Sequence, residues 1–158
     1  MLVCIEHFTK WVELIPLPSK SSKDAARALL DGVLSRYGAP GEVLTHQGRE
    51  FRGEFQTLLA AHEITHRLSS REHPQSDGLA ERMVQTMKMG LRKCLLDGGG
   101  KEWDELLLYI AMGYRMTRHK SLRYSPYFLM FGRDPIFQSR YQPECEEELD
   151  PNLPAARL

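Results

Sequence analysis

The residues best suited to chemistry lie between Ser69 and Leu96, in SSREHPQSDGLAERMVQTMKMGLRKCLL. A polar loop with His73, Pro74, Gln75 and Ser76 leads through Asp77 and Gly78 to a run in which Leu79, Met83, Met87, Leu91 and Leu95 recur four apart, the pattern of a helix with one buried stripe. Glu81 falls in the first turn of that helix, where exposed N–H groups and the helix dipole favour a carboxylate. Gln85, Lys88 and Arg92 follow at steps of three and four, so the long polar side chains share one face. A carboxylate at the helix mouth with cations further along suits a metal ion and then phosphates. An ordinary solvated face with spaced charges has the same pattern, and the helix alone does not separate the two.

Other metal-binding residue types are scattered. His62, His66 and His73 are neighbours in sequence, yet Cys4, Cys94 and Cys145 form no CxxC pair that would complete a zinc ribbon, and their spacing gives no disulfide framework. Reduced thiols fit an intracellular setting, nuclear or cytoplasmic. His66 and His73 read as loop or surface residues, and Trp11 and Trp103 as structural ones.

HPQSDG, followed by Glu81 and a lysine-bearing helix, resembles the third catalytic block of retroviral and Ty3/Gypsy-type retrotransposon integrases, where a flexible loop leads to the last acid of an Asp, Asp, Glu metal-binding triad. FTKWVELIPLPSKS, THQGREF and YSPYFLMFGRDP resemble further blocks of the same catalytic core, in the same order and at similar distances. Together they cover residues 2 to about 137. The zinc-binding N-terminal domain of full-length integrases has no counterpart in these residues.

The resemblance implies DNA strand transfer with two divalent ions, Mg2+ or Mn2+, one activating the attacking oxygen and one stabilising the leaving oxygen. Hard cations of this kind want several carboxylate oxygens. The first acid has no counterpart, because the strand that carries it in the family precedes Met1. The second is expected just before QGREF, and His46 stands there, in Thr45-His46-Gln47-Gly48. The third, Glu81, is retained 35 positions later and is the one metal-ligand candidate. Neutral imidazole is a poor magnesium ligand, so metal binding is doubtful and ordinary strand transfer is not expected. Glu6 could substitute, but it also matches an acid often found there outside the triad.

By the same resemblance Gln75, Ser76, Gln85, Lys88 and Arg92 are candidate DNA-contacting residues. The contact expected is weak and sequence-independent, through phosphates. A second basic run, Arg115, Arg118, His119, Lys120 and Arg123, contains no acid and either extends that footprint or is a solvated helix end. A different class of function is a non-catalytic interaction module that forms a homodimer through its helices, and a third reading is a retroelement fragment without function.

Composition fits one globular domain followed by a tail. The chain has 158 residues, 42% of them hydrophobic, with no apolar run long enough to span a membrane. Its formal charge is zero, but unevenly distributed: five of the 21 acids and only one of the 21 Lys and Arg residues lie beyond Gln142, leaving 20 basic against 16 acidic residues before it. Residues 1–137 are expected to form the core, incomplete at its N-terminus, and 138–158 an acidic, disordered tail.

Along the core, LVCIEHF and Trp11–Ile15 read as an antiparallel hairpin, and KDAARALLDGVLSRYG as a helix stopped by Gly38. Gly41–Thr45 reads as a strand, FRGEFQTLLAAHE as a helix and Ile64–Leu68 as a last strand. After Gly98-Gly99-Gly100 come an apolar helix in 101–120 and a short one from Ser125-Pro126 to Phe131. The order is that of a ribonuclease-H-like α/β integrase core, a mixed sheet flanked by helices and lacking its usual first, central strand. The two strands left beside the gap are expected to pair directly.

Overall fold

The computed structural model describes residues 1–69, 83–93, 102–119 and 122–136. Leu2–Ile5 (β1) and Val12–Ile15 (β2) form the expected antiparallel hairpin, with Leu2 opposite Ile15 and Ile5 opposite Val12. Glu6 shapes its turn. One carboxylate oxygen accepts the Phe8 N–H at 2.8 Å and the other accepts the Thr9 N–H and hydroxyl at 2.6 and 2.5 Å, while Lys10 adopts a left-handed φ of 61°. Partial burial would push the Glu6 carboxyl upward, but these hydrogen bonds outweigh it and hold the pKa below its ordinary value.

The helix that follows starts where Ser21 accepts the Asp24 N–H. It comprises α1 (Ser22–Leu29), a widened π turn over Leu30–Leu34, and α2 (Ser35–Tyr37), ended by Gly38 at φ 82°. At the π turn, a Cβ on Gly32 would stand 2.3 Å from Ile15 Cδ1, so the bare glycine is what lets this helix lie so close to β2. Glu42–Thr45 (β3) and Thr65–Leu68 (β4) pair in parallel, connected over the sheet by α3 (Glu54–Ala61). The expected helix from Phe51 begins later, because Arg49–Phe51 is a 3-10 turn and Gly53 takes a left-handed φ of 53° before α3 starts. Residues 83–93 are helical (α4), followed by α5 (Trp103–Met116) and α6 (Pro126–Phe131), the last capped by Ser125, whose hydroxyl accepts the Phe128 N–H.

The sheet differs from expectation in one respect. β1 and β3 do not pair; the strands form two separate two-stranded sheets, β1 with β2 and β3 with β4. Side chains join them instead. Leu2, Cys4 and Ile15 from the hairpin, and Val43 and Ile64 from the parallel pair and its approach, share one core with Ala25, Ala28, Leu29, Phe55 and Leu59 of α1 and α3. Burial of this kind is non-directional and needs no strand register, so the helices can bind both half-sheets while the backbone edges stay apart. The opposite face of the hairpin is covered too: Val12 and Leu14 pack on Met83 and Met87 of α4 and on Leu107 and Ala111 of α5. The hairpin is therefore buried on both faces and reads as apolar almost throughout.

Its one buried charge, Glu13, is held from three sides. Trp11 Nε1 donates to it at 2.9 Å, the Tyr37 hydroxyl at 2.6 Å and Arg115 Nη2 at 2.5 Å. Arg115 also donates from Nε to the Val12 carbonyl at 2.8 Å and lies 4.4 Å from the Trp11 ring centre. One guanidinium thus fastens α5 to β2 and neutralises the acid beneath it. Breaking such a pair from one side strands a buried charge. Arg115→Met is expected to destabilise the fold by about 3 kcal/mol in urea denaturation, with Glu13→Gln in the same chain recovering part of the loss.

The acidic tail assigned to 138–158 lies outside the described residues. Among the described residues no helix is long and apolar enough to cross a membrane.

Candidate functional site

The carboxyl ends of the parallel strands β3 and β4 come side by side, with Thr45 opposite Leu68 and the Ser69 N–H donating to the Thr45 carbonyl at 2.8 Å. Ligand sites in parallel α/β sheets form at such strand ends. His46 follows Thr45, and the segment holding Gln75, Ser76 and Glu81 follows Ser69; those three residues lie outside the described residues.

His46 is well positioned but not as a free ligand. Its Nδ1 accepts the Gly48 N–H at 2.9 Å, which places the ring proton on Nε2, and Nε2 lies 4.0 Å from Glu50 Oε1. The ring packs edge-on against Phe51, with 5.0 Å between centroids. Gly48 makes the arrangement possible: a Cβ there would stand 2.5 Å from both His46 Cε1 and Glu50 Oε2. Glu50 is buried and is met by Lys20 Nζ at 3.3 Å. Burial would raise the Glu50 carboxyl pKa, but its own backbone N–H and Lys20 outweigh it and hold it below the usual value.

The residues assembled here are therefore an imidazole already bonded through Nδ1 and a carboxylate already met by a lysine. That donor set does not fit a hard divalent cation, which needs several uncommitted oxygens. No group of three His, Cys, Asp or Glu side chains among the described residues is arranged to hold a metal ion. Glu6 is committed to its turn. His66 lies on β4, within the strand read over Ile64–Leu68, but half-buried rather than at the surface: its Nε2 is 2.9 Å from the Thr45 hydroxyl, and burial lowers its pKa. His62 is exposed, its Nδ1 2.9 Å from the Leu58 carbonyl.

Glu50 and Lys20 were not singled out by sequence. The i, i+4 spacing of His46 and Glu50 across a glycine was the available signal. Of the two tryptophans, Trp11 is core and Trp103 is partly exposed at the start of α5.

Helix α4 carries the other candidates as expected. Met83 and Met87 are buried, and Gln85, Lys88 and Arg92 are exposed together on the outer side. Within residues 83–93 the core stripe and the polar face are those read from the sequence; Leu79, Glu81 and Leu95 lie outside the described residues.

No family model matches the chain. It is 32% identical over 136 residues to the Gag-Pol polyprotein of Gibbon ape leukemia virus, covering 85% of this chain and 8% of the polyprotein. Against the Pol polyprotein of Radiation murine leukemia virus it is 30% identical over 148 residues, 93% of this chain and 25% of that protein. A solved structure of the HTLV-2 integrase catalytic core domain in complex with magnesium superposes with a TM-score of 0.67 at 22% identity, covering 79% of this chain and 80% of that one. The chain belongs with the retroviral-like integrase cores. A chain of the simian T-cell lymphotropic virus intasome shares the same fold, with a TM-score of 0.74 at 22% identity over 86% of this chain and 50% of that one. The integrase-like chain spans less than a tenth of the gibbon virus polyprotein and a quarter of the murine one.

The hydrogen bond from Gly48 fixes the His46 tautomer in this integrase-like core. Nitrogen-15 spectra should show His46 as the Nε2–H form, and Gly48→Ala should move its signals toward a free mixture of tautomers by forcing the ring and Glu50 apart. An unchanged spectrum in that variant would contradict the geometry.

Proposed function

We propose that this chain is an integrase core of a Ty3/Gypsy-type retroelement that binds DNA weakly and without sequence preference and, as these 158 residues stand, does not catalyse strand transfer. Its 29% identity over 133 residues to the Pol polyprotein of the Drosophila melanogaster transposon 412 supports that origin. The observation that carries the catalytic part is His46, an imidazole tied to Gly48 at the strand end where the resemblance calls for the second acid. Glu81 is then the one acid of the triad supplied here, and a single carboxylate holds Mg2+ or Mn2+ weakly. The related HTLV-2 core was solved with magnesium; among the described residues here no three acidic or imidazole side chains are arranged to hold such an ion.

DNA contact is assigned to Lys88 and Arg92, with Gln85 beside them and Gln75 and Ser76 in the segment before. The support is their shared exposed face on α4 and the family's use of such a helix. Each lysine or arginine on phosphate adds roughly one unit to the salt slope. Duplex DNA should be retarded at low salt, and Lys88→Glu should abolish most of that retardation; no retardation at all would sink the assignment. A manganese-dependent strand-transfer assay tests catalysis. The chain should be inactive and remain so with His46→Asp alone, gaining activity only when an Asp-bearing strand is also joined upstream. Activity of the unaltered chain that is lost in Glu81→Gln would refute the inactive reading.

A second reading is favoured by α5, whose outer side exposes Leu108 (68%), Tyr109 (54%) and Met112 (45%) in one apolar patch. Such a patch suits a homodimer, independent of the acids. Light scattering at high salt should give a dimer, reduced to a monomer by Leu108→Glu. A monomer in the unaltered chain removes this reading and leaves the DNA-binding one, or a fragment without function.

A further inference from the structure

From Leu106 to Arg133 the chain contains no Asp or Glu but five cations, Arg115, Arg118, Lys120, Arg123 and Arg133. Arg115 is spent on Glu13 and Val12, and Lys120 lies outside the described residues. Arg118 and Arg123 are exposed, and neither joins an ion pair among the described residues. The backbone draws them together: the His119 N–H donates to the Tyr124 carbonyl at 3.0 Å and the Arg123 N–H to the His119 carbonyl at 2.8 Å. Arg123 takes a left-handed φ of 62°, unusual for a side-chain-bearing residue, and the next residue is Tyr124.

Tyr124 lies almost flat on Phe128, with ring centroids 5.0 Å apart and planes at 14°, whereas the rings around Trp11 meet at 45° to 84°. With one face covered by Phe128, Tyr124 is still 51% exposed, so its other face is open to solvent. A flat, exposed ring on the same turn as two exposed guanidinium groups that join no ion pair among the described residues is the arrangement on which unpaired nucleobases stack while phosphates meet the cations. A base pair inside a duplex has both faces occupied and cannot use the ring. Lys10, at the hairpin turn, is close enough that its charge, after burial, helps lower the pKa of His119, and so adds to the positive field here.

We propose that the turn between α5 and α6, centred on Tyr124 and flanked by Arg118 and Arg123, is a stacking site for single-stranded nucleic acid, separate from the duplex-facing side of α4. The site reads bases by their faces, without sequence preference, and accepts DNA or RNA.

Fluorescence anisotropy at low salt tests this with four labelled probes: oligo(dT) of about 15 nucleotides, oligo(U) of the same length, a matching abasic strand and the duplex. The chain should bind oligo(dT) and oligo(U) more tightly than the abasic strand. Tyr124→Ala should weaken both base-bearing strands about tenfold while leaving the abasic strand and the duplex unchanged, and Tyr124→Phe should bind as the parent. Arg123→Ala should weaken base-bearing and abasic strands alike. Equal binding of abasic and base-bearing strands, or oligo(dT) binding untouched in Tyr124→Ala, overturns the proposal, as does equal competition by polyglutamate. Lys88→Glu separates the two surfaces: losing duplex but not oligo(dT) binding is the expected result, and losing both equally would show that no separate site exists.

Discussion

Shared burial under α1 and α3 is what joins the two half-sheets. The hairpin and the parallel pair exchange no ladder hydrogen bonds; Leu2, Cys4 and Ile15 on one side and Val43 and Ile64 on the other share one core with Ala25, Ala28, Leu29, Phe55 and Leu59. A second tie runs between the helices themselves. The Ser22 hydroxyl donates to the Arg52 carbonyl and accepts the Phe55 N–H at 3.0 Å, locking the start of α3 to the start of α1. Because α3 is also the crossover between β3 and β4, this contact sets where the strand ends bearing Thr45 and Ser69 emerge.

The hairpin has its own anchor in Glu13 and Arg115. A carboxylate and a guanidinium 102 positions apart meet at the outer edge of β2, and the same arginine satisfies the Val12 carbonyl that an edge strand would otherwise leave to solvent. With α5 fixed in this way, Leu107 and Ala111 face inward and Leu108 and Met112 outward. The orientation of the exposed apolar patch is therefore a consequence of the buried pair. Tyr114, further along the same helix, has its hydroxyl oxygen buried without a partner among the described residues, and burial raises its pKa to about 12.

Much of this was legible in the sequence, for identifiable reasons. The four-residue spacing of Met83, Met87 and Leu91 gave the inward face of α4, and with it the exposure of Gln85, Lys88 and Arg92. Ser21, Gly38 and Ser125 marked helix ends because capping is a local matter. Strand pairing is not local. Nothing in LVCI or EVLT says that β1 and β3 stay apart, since each is a short apolar run with two usable edges. The same holds for the site: THQGREF revealed His46 in place of an acid, but its hydrogen bond to Gly48 and the meeting of Glu50 with Lys20 depend on how the chain turns after β3. Glu13 lies within the strand read over Trp11–Ile15, and only the return of α5 shows what neutralises it.

Among the described residues every strand has one side unladdered, and on the parallel pair Leu44 and Leu68 are also about half exposed. An open edge beside exposed leucines is a template for another chain's backbone. Two copies of such an edge can pair antiparallel across a two-fold axis and stop at two, or pair with a different edge and leave a new one open. The exposed leucines of β3 and β4 and the apolar side of α5 thus differ in kind: pairing at the first would follow the backbone, contact at the second only the side chains.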